Sequence, residues 1–335
     1  MIQRKRVLSG MRPTGPVHLG HLVGALKNWV ELQERYECFF MVADWHALMS
    51  EYEHPAQIRE YSRQRGMDWI AAGIDPNRST IFCQSDVPEH LELYMVLSII
   101  APLGWVERVP TYKEQLREVK GRDLATYGFL GYPVLQAADI LLYRAQGVPV
   151  GEDQIPHLEL AREIVRRFKF LYHADLFPEP KPLLTQEAKL LGIDGRKMSK
   201  SYDNFIGLSE TPDQIRKKAQ KMFTDPKRIK MTDPGHPETC NVCHYWEVFA
   251  PTEALKVWEE CRTSKRGCTQ NKEELAERLV QETEKFRAVR EEARMRGTTG
   301  GFTGQVDEIL ANGAQKARRI AGETMAQVRK AVGLA

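Results

Sequence analysis

Short apolar runs alternate with longer amphipathic stretches through the first half of the chain. Four runs have the length and composition of buried strands, at 7–9, 38–43, 80–83 and 148–150. Helical periodicity falls between and after them, at 19–35, 55–73, 88–100 and 155–170. Because strands that alternate with helices build a parallel sheet with helices on both faces, this half predicts a Rossmann-type α/β nucleotide-binding domain.

Helical periodicity dominates the second half. Thr211-Pro212-Asp213-Gln214 has the form of a capping box with proline at the first helical position, so a helix should begin there. Helices are predicted at 212–222, 251–262, 272–296, 304–311 and 313–332. We therefore predict a catalytic domain over residues 1–205 and a mostly helical domain over 206–303. The final helices, near 305–335, are expected to pack back on the first domain.

Composition places the chain among ordinary globular proteins. Of its 335 residues, 42% are hydrophobic and 28% are charged, and the formal net charge is +3. No apolar run is long enough to span a bilayer, which argues against a membrane protein. The basic start leads directly into the first strand without an apolar signal core, so we expect a cytoplasmic protein.

Positive charge is concentrated in one segment. Residues 216–230 contain one acid, Asp225, against seven bases: Arg216, Lys217, Lys218, Lys221, Lys227, Arg228 and Lys230. This density suits contact with a nucleic-acid phosphate backbone, although a solvated helix face has the same pattern.

Two segments have the chemistry of phosphate binding. His18-Leu19-Gly20-His21 follows a turn that joins the first strand to a helix, where free N–H groups and the helix dipole favour an anion. Its imidazoles can donate hydrogen bonds to phosphate oxygens that gain charge during a reaction. A structural helix cap is the alternative interpretation.

The second segment is Lys197-Met198-Ser199-Lys200-Ser201, in a stretch rich in glycine and charge that predicts a mobile surface loop. Two lysines at this spacing can fold onto one pyrophosphate, with magnesium bridging the phosphates. An exposed loop with incidental lysines is the alternative. Together, the two segments favour nucleotidyl transfer.

The paired segments resemble the two signatures of class I aminoacyl-tRNA synthetases. The resemblance extends over essentially the whole chain to tryptophanyl-tRNA synthetases of the bacterial and mitochondrial type. Its most specific stretches are 9–15, 42–47, 132–143 and 148–154. It implies an ATP-dependent ligase that binds tryptophan and tRNA(Trp) and that forms a homodimer.

The resemblance also implies roles for individual residues. Asp139 would accept the indole N–H, and Tyr132 and Gln154 would hold the α-amino group. The pocket would be shaped by Leu8, Gly10, His46, Gln136, Val148 and Val150. ATP would contact Arg12, Pro13, Thr14, Gly20, His21, Gly151, Glu152, Asp153 and Leu190, together with Lys197, Met198, Ser199, Lys200 and Ser201. His18, His21, Lys197 and Lys200 would stabilise charge on the phosphates as catalytic residues.

Four cysteines cluster in the helical half, Cys240, Cys243, Cys261 and Cys268. Four thiolates can complete a zinc or iron–sulfur site. Some tryptophanyl-tRNA synthetases, the family that this chain resembles, hold a [4Fe–4S] cluster here, with a fourth cysteine at the position of Asn271. In this chain Cys243 would have to replace that ligand. By analogy with that family we expect a [4Fe–4S] cluster, with zinc or buried free thiols as the alternatives. Cys38 and Cys83 are expected to be core residues.

The sequence thus predicts a tryptophan–tRNA ligase that forms tryptophanyl-adenylate before charging tRNA(Trp). Two alternatives stay open. The spacing of Tyr132, Gln136 and Asp139 also resembles the pocket of tyrosyl-tRNA synthetases, because a tyrosine hydroxyl could pair with the carboxylate. The other alternative is a non-aminoacylating paralogue that binds RNA or a protein partner and senses redox state through its cysteines.

Overall fold

The computed structural model describes residues 4–118, 123–184, 190–196, 198, 202–297 and 302–335. Its centre is a five-stranded parallel sheet in the order β3-β2-β1-β4-β5. The strands are β1 Arg6–Met11, β2 Glu37–Val42, β3 Ser79–Cys83, β4 Gly147–Val150 and β5 Lys181–Leu184. The sheet confirms the predicted α/β class and the first four strands. The fifth was missed because it is a short edge strand with no fully buried residue.

Helices make up most of the rest of the described chain. In order they are α1 Leu19–His21, α2 Lys27–Arg35, α3 Asp44–Glu51, α4 Ile58–Ala71, α5 Glu89–Ile100, α6 Leu103–Val106, α7 Pro110–Glu118, α8 Tyr127–Leu130, α9 Tyr132–Leu142, α10 Ile155–Tyr172, α11 Pro212–Gln220, α12 Asn241–Phe249, α13 Pro251–Arg262, α14 Cys268–Gly297 and α15 Phe302–Ala331. A π-helical stretch, Leu22–Leu26, joins α1 to α2. Among the described residues, no helix is both long and apolar enough to cross a membrane.

Contacts divide the chain into two compact units. The first comprises Met1–Thr14, Trp29–Gln186 and Gly300–Ala335, and the second comprises Gly15–Asn28 and Glu187–Thr299. Each unit is assembled from stretches that are far apart in the sequence. The division places the start of α1 with the helices of the second half of the chain.

In the first unit, α15 packs directly on the sheet. The contact is so close that a Cβ atom at Gly313 would lie 1.8 Å from the carbonyl oxygen of Ile81 on β3. The predicted break between helices at 311–313 is therefore wrong, since α15 runs unbroken through Gly313. The glycine allows close approach of two backbones.

In the second unit, α11 begins with the predicted capping box. Thr211 Oγ1 accepts a hydrogen bond from Gln214 N at 3.3 Å, and Gln214 Oε1 accepts one from Thr211 N at 2.9 Å. Helix α14 packs on α11 and α12, and α12 also packs on α13. Lys27, at the start of α2, forms an ion pair of 2.6 Å with Glu282 of α14. These contacts attach the Gly15–Asn28 insert to the helices of its own unit.

Candidate active site

The first unit contains a topological switch point, where ligands bind in parallel α/β sheets. Strand β1 pairs with β2 on one side and with β4 on the other, so the crossover connections leave in opposite directions. At the carboxyl end of β1 follow Arg12, Pro13 and Thr14, and at the carboxyl end of β4 follow Gly151 and the exposed carboxylates Glu152 and Asp153. Both groups of predicted nucleotide-binding residues in this unit therefore follow directly after the carboxyl ends of two neighbouring strands.

Asp139 lies buried on α9, with 2% of its surface exposed. Its Oδ2 accepts from His46 Nε2 at 2.8 Å. Its Oδ1 accepts from Gln84 Nε2 and from His90 Nδ1, each at 2.7 Å. The carboxylate therefore accepts hydrogen bonds from three side chains.

These bonds determine the charge of Asp139. Burial alone raises the pKa of the carboxyl, but hydrogen bonds and favourable electrostatic interactions with His46 and His90 outweigh burial and lower the pKa to about 2. At neutral pH the group is an ionised carboxylate that only accepts hydrogen bonds. It is suited to bind a single N–H donor in an apolar setting.

Sequence reasoning missed Gln84, His90 and Tyr143. Gln84 directly follows β3, where α/β sheets place ligand groups, so its position was the available signal. Tyr143 lies four residues after Asp139, and its hydroxyl is 2.8 Å from His90 Nε2. Burial, and then the Asp139 charge, raise the pKa of Tyr143 well above its ordinary value, so the phenol stays protonated.

Apolar side chains predicted to shape the amino-acid pocket belong to the core around this carboxylate. Leu8 and Val148 are buried, and Val150 is partly buried against the same cluster. Gln136 is half-buried on α9. Gly10 allows β1 to approach β2, since a Cβ atom there would lie 2.7 Å from the carbonyl oxygen of Met41.

Tyr132 lies in a second hydrogen-bonded group. Its hydroxyl is 2.7 Å from Thr111 Oγ1 and 3.1 Å from His157 Nε2, two partners that the sequence did not indicate. Burial lowers the pKa of His157 to about 4, so its ring is neutral at pH 7. Gln154, the other predicted ligand of the α-amino group, donates from Nε2 to Asp153 Oδ2 at 2.7 Å.

In the second unit, the two predicted catalytic histidines lie together. Their ring centroids are 3.7 Å apart, and His21 Nδ1 accepts from the backbone N–H of His18 at 3.2 Å. Gly20 is packed closely by His18 and Met198, since a Cβ atom there would lie 3.1 Å from the His18 ring and from Met198 Sδ. Leu19 N donates to Ile206 O at 3.0 Å, which attaches α1 to the segment after the lysine loop.

The lysine loop is described only in part. Lys197, Ser199, Lys200 and Ser201 lie outside the described residues. Before them, Leu190 is buried and Gly192 N donates to Arg196 O at 2.7 Å. Ile193 N donates to Asn204 O at 2.8 Å, so backbone hydrogen bonds join the two flanks of the loop.

The four cysteines come together at the ends of three helices in the second unit. Cys240 caps α12, Cys243 is fully buried one turn later, Cys261 lies near the end of α13 and Cys268 begins α14. Hydrogen bonding with Cys243 is the largest cause that lowers the pKa of Cys240, to about 6, and the pKa of Cys261, to about 7.

The position of the absent family cysteine is filled by a carboxamide. Asn271 Oδ1 accepts from Trp246 Nε1 at 2.8 Å, and Asn271 Nδ2 donates to Cys243 Sγ at 3.7 Å. Within the described part of the chain, no group of three or more His, Cys, Asp or Glu side chains is arranged to hold a metal ion. The donor chemistry fits a metal, whereas the arrangement of the side chains does not enclose one. Cys38 and Cys83 are buried on their strands, as predicted.

Known proteins resemble this chain over nearly its whole length. The family model described as "tRNA synthetases class I (W and Y)" matches residues 3–286. A tryptophan–tRNA ligase of Thermotoga maritima is 48% identical, with 98% of this chain and 99% of the relative covered. One of Aquifex aeolicus is 41% identical, with 98% and 100% covered.

A solved structure agrees with these relatives. The tryptophanyl-tRNA synthetase of Campylobacter jejuni complexed with ADP and tryptophan superposes with a TM-score of 0.86 at 34% identity, covering 98% of this chain and 100% of that one. Sequence and fold thus point to the same enzymes, and the chain belongs to the class I tRNA synthetases, within the bacterial type of tryptophanyl-tRNA synthetase.

Proposed function

We propose that the protein is an ATP-dependent tryptophan–tRNA ligase. The observation that carries the amino-acid assignment is Asp139, a buried carboxylate that stays ionised and accepts hydrogen bonds beside the apolar core. An indole N–H can pair with it, whereas a phenylalanine side chain has no donor and would leave the bound carboxylate without this partner.

The reaction needs no covalent intermediate with the protein. The carboxylate of tryptophan attacks the α-phosphorus of MgATP, the bond to the β-phosphate oxygen breaks, and pyrophosphate leaves. A ribose hydroxyl of tRNA then attacks the carbonyl carbon of tryptophanyl-adenylate, and AMP leaves with the bonding electron pair. Magnesium enters with ATP and neutralises phosphate charge.

In this proposal the protein contributes position and charge. Tyr132 orients the α-amino group, and Arg12 with Gly151, Glu152 and Asp153 orients the nucleotide at the ends of β1 and β4. The contact between the rings of His18 and His21 supports a joint role in binding phosphate. The roles of Lys197 and Lys200 rest on the sequence resemblance.

Pyrophosphate exchange measured separately with tryptophan, tyrosine and phenylalanine tests the proposal. We expect exchange with tryptophan, followed by charging of tRNA(Trp). Preference for tyrosine would identify a tyrosine–tRNA ligase. Failure to form any adenylate would identify a non-aminoacylating paralogue.

We further propose residues 1–205 as the catalytic domain, with the last helix, near 305–335, packed on it, and 206–303 as the domain that binds the tRNA anticodon. Support comes from exposed lysines in the segment 216–230, namely Lys217, Lys221, Lys227 and Lys230. Lys221→Ala and Lys227→Ala should each weaken tRNA binding and reduce its salt dependence by about one unit of log–log slope. Pyrophosphate exchange with tryptophan should be unchanged in both variants. An unaltered Kd for tRNA would exclude these lysines from the tRNA-binding surface.

A homodimer in the cytoplasm, where tRNA is charged, is the proposed working form. Exposed apolar side chains of the first unit support it, namely Met95, Ile99, Leu103 and Tyr127, which are between 59% and 81% exposed. Met95 and Ile99 lie one helical turn apart on α5, so they share a face. Ile99→Lys should yield monomers in sedimentation experiments, whereas Leu255→Lys, at an exposed leucine of the second unit, should not.

We also propose that the cysteine group holds a [4Fe–4S] cluster in the loaded protein, with zinc as the alternative. Because the described side chains do not already enclose a metal, loading would have to bring the thiols closer together. The contact between Cys243 and Asn271 supports the proposal, because it places a thiol beside the position of the absent family ligand. Anaerobic purification, metal analysis and a visible spectrum test it, with Cys243→Ser as the ligand variant and Cys83→Ser as the control. Brown absorbance that Cys243→Ser abolishes would support iron, stoichiometric zinc would support the alternative, and metal-free protein would refute both.

A further inference from the structure

The described residues leave one hydrogen-bond acceptor site of Asp139 unused. An ionised carboxylate offers about four acceptor sites, two on each oxygen. Gln84 and His90 use both sites of Oδ1, and His46 uses one site of Oδ2. A bound N–H donor is therefore directed to the remaining site on Oδ2.

The orientation of His90 follows from its two partners. Tyr143 keeps its phenolic proton, and a phenol that donates to His90 Nε2 leaves the ring proton on Nδ1, which then donates to Asp139. The His90 ring is fully buried and lies against Phe82, with centroids 6.1 Å apart. Tyr143, which also faces Glu89, completes a chain of hydrogen bonds from phenol to imidazole to carboxylate.

Gln84 completes the set. Gln84 is fully buried, and its Nε2 donates to Oδ1 of the Asp139 carboxylate. The opposite orientation of the amide would place Oε1 against Oδ1, two acceptors in contact, so the observed orientation is the one that the carboxylate permits.

We infer that His90, oriented by Tyr143, is a positioning residue for tryptophan recognition: with Gln84 it occupies Oδ1 and leaves the open acceptor site of Asp139 on Oδ2 for the indole N–H. This inference rests on the proposed function. It assigns to the connection between β3 and α5 a role in amino-acid selection that its sequence position alone does not show.

Two substitutions at His90 separate positioning from packing. His90→Leu removes the donor, so Asp139 loses a partner and its proton affinity rises. His90→Asn places an amide N–H where Nδ1 was and should restore donation to Oδ1. We expect the Kd for tryptophan, measured by calorimetry, to rise about 10- to 100-fold in His90→Leu and to return to within about threefold in His90→Asn. The KM for ATP should stay the same.

The pH dependence gives a second readout. In His90→Leu, tryptophan binding should weaken on acidification at a higher pH than in the unaltered protein, because Asp139 is protonated more easily. His46 also faces the carboxylate, so the comparison is made between variants that all retain it. Tyr143→Phe, which changes one hydroxyl, gives the same test with a smaller effect if His90→Leu does not fold.

Phe82→Leu is the packing control, since it loosens the same core without removing a hydrogen bond from Asp139. It should lower the Tm and leave the pH profile of tryptophan binding in place. An unchanged Kd in His90→Leu, or an equal shift of the pH profile in Phe82→Leu, would overturn the inference. Absence of tryptophan exchange in the unaltered protein would refute the proposed function instead.

Discussion

Replacing Asp139 with asparagine tests whether its charge stabilises the first unit. The folded protein holds the pKa of this carboxyl at about 2, against 3.8 as the ordinary value, a difference of about 1.8 units. At about 1.36 kcal/mol per unit, the ionised form contributes roughly 2.4 kcal/mol to the free energy of unfolding at neutral pH. Because the pKa is lowered on folding, this contribution is present above pH 4 and is lost as the pH falls towards 2.

An asparagine cannot replace the three bonds. Its oxygen can accept from Gln84 and His90, but its NH₂ group would then face the Nε2 donor of His46. For a unit of about 200 residues, the loss should lower the Tm by roughly 5–10 °C at pH 7. The same NH₂ group would meet the indole N–H, so tryptophan should bind at least tenfold more weakly.

Calorimetric unfolding of Asp139→Asn and the unaltered protein between pH 7 and pH 3 measures the effect. Asp175→Asn is the matched control in the same unit, since Asp175 is exposed and pairs only with an exposed lysine, Lys169, among the described residues. The difference in Tm should be constant down to pH 4 and then shrink. Equal Tm values at pH 7, or a difference that grows on acidification, would refute the reasoning.

Three further outcomes follow from close contacts and hydrogen bonds. Gly313→Ala should lower the Tm, because its Cβ would overlap the Ile81 carbonyl. Gly322→Ala, in the same helix with open space around it, should instead raise the free energy of unfolding by up to about 1 kcal/mol. Thermal unfolding compares the two variants, and equal effects would contradict the contact with β3. Gly10→Ala should raise the KM for tryptophan in pyrophosphate exchange and lower the Tm, since its Cβ would press on the Met41 carbonyl; an unchanged KM would exclude a role for this strand position. Tyr132→Phe should weaken the binding of tryptophan about tenfold. Binding of indole-3-propionic acid should not change, because this ligand lacks the α-amino group. Equal losses for both ligands would show that Tyr132 does not contact the amine.

The sequence predicted the sheet better than the helix that carries Asp139. The first four strands were predictable because each is a short apolar run bounded by polar residues. Helix α9 gave no helical periodicity, since every one of its residues except Gln136 is buried. A helix that is apolar on all sides cannot be recognised by an amphipathic pattern, so Asp139 was placed only by resemblance.

The network around Asp139 could not be predicted from spacing. His46, Gln84 and His90 come from three separate elements, the first on α3, the second after β3 and the third on α5. Only the parallel arrangement of β2 and β3 brings their following segments to the same edge of the sheet. Likewise, Gly313 has the sequence signature of a helix end, and its contact with β3 depends on tertiary packing.

The attachment of α1 limits how this enzyme can be shortened. Leu19 N donates a hydrogen bond to Ile206 O, and Leu208 N donates one to Val17 O. The histidine segment is therefore hydrogen-bonded to backbone that lies nearly 190 residues later in the sequence. A truncated protein that ends before residue 187 would keep His18 and His21 but lose those partners. A minimal fragment that retains the histidine geometry therefore has to include the 202–208 segment, either in the native order or through a circularly permuted chain.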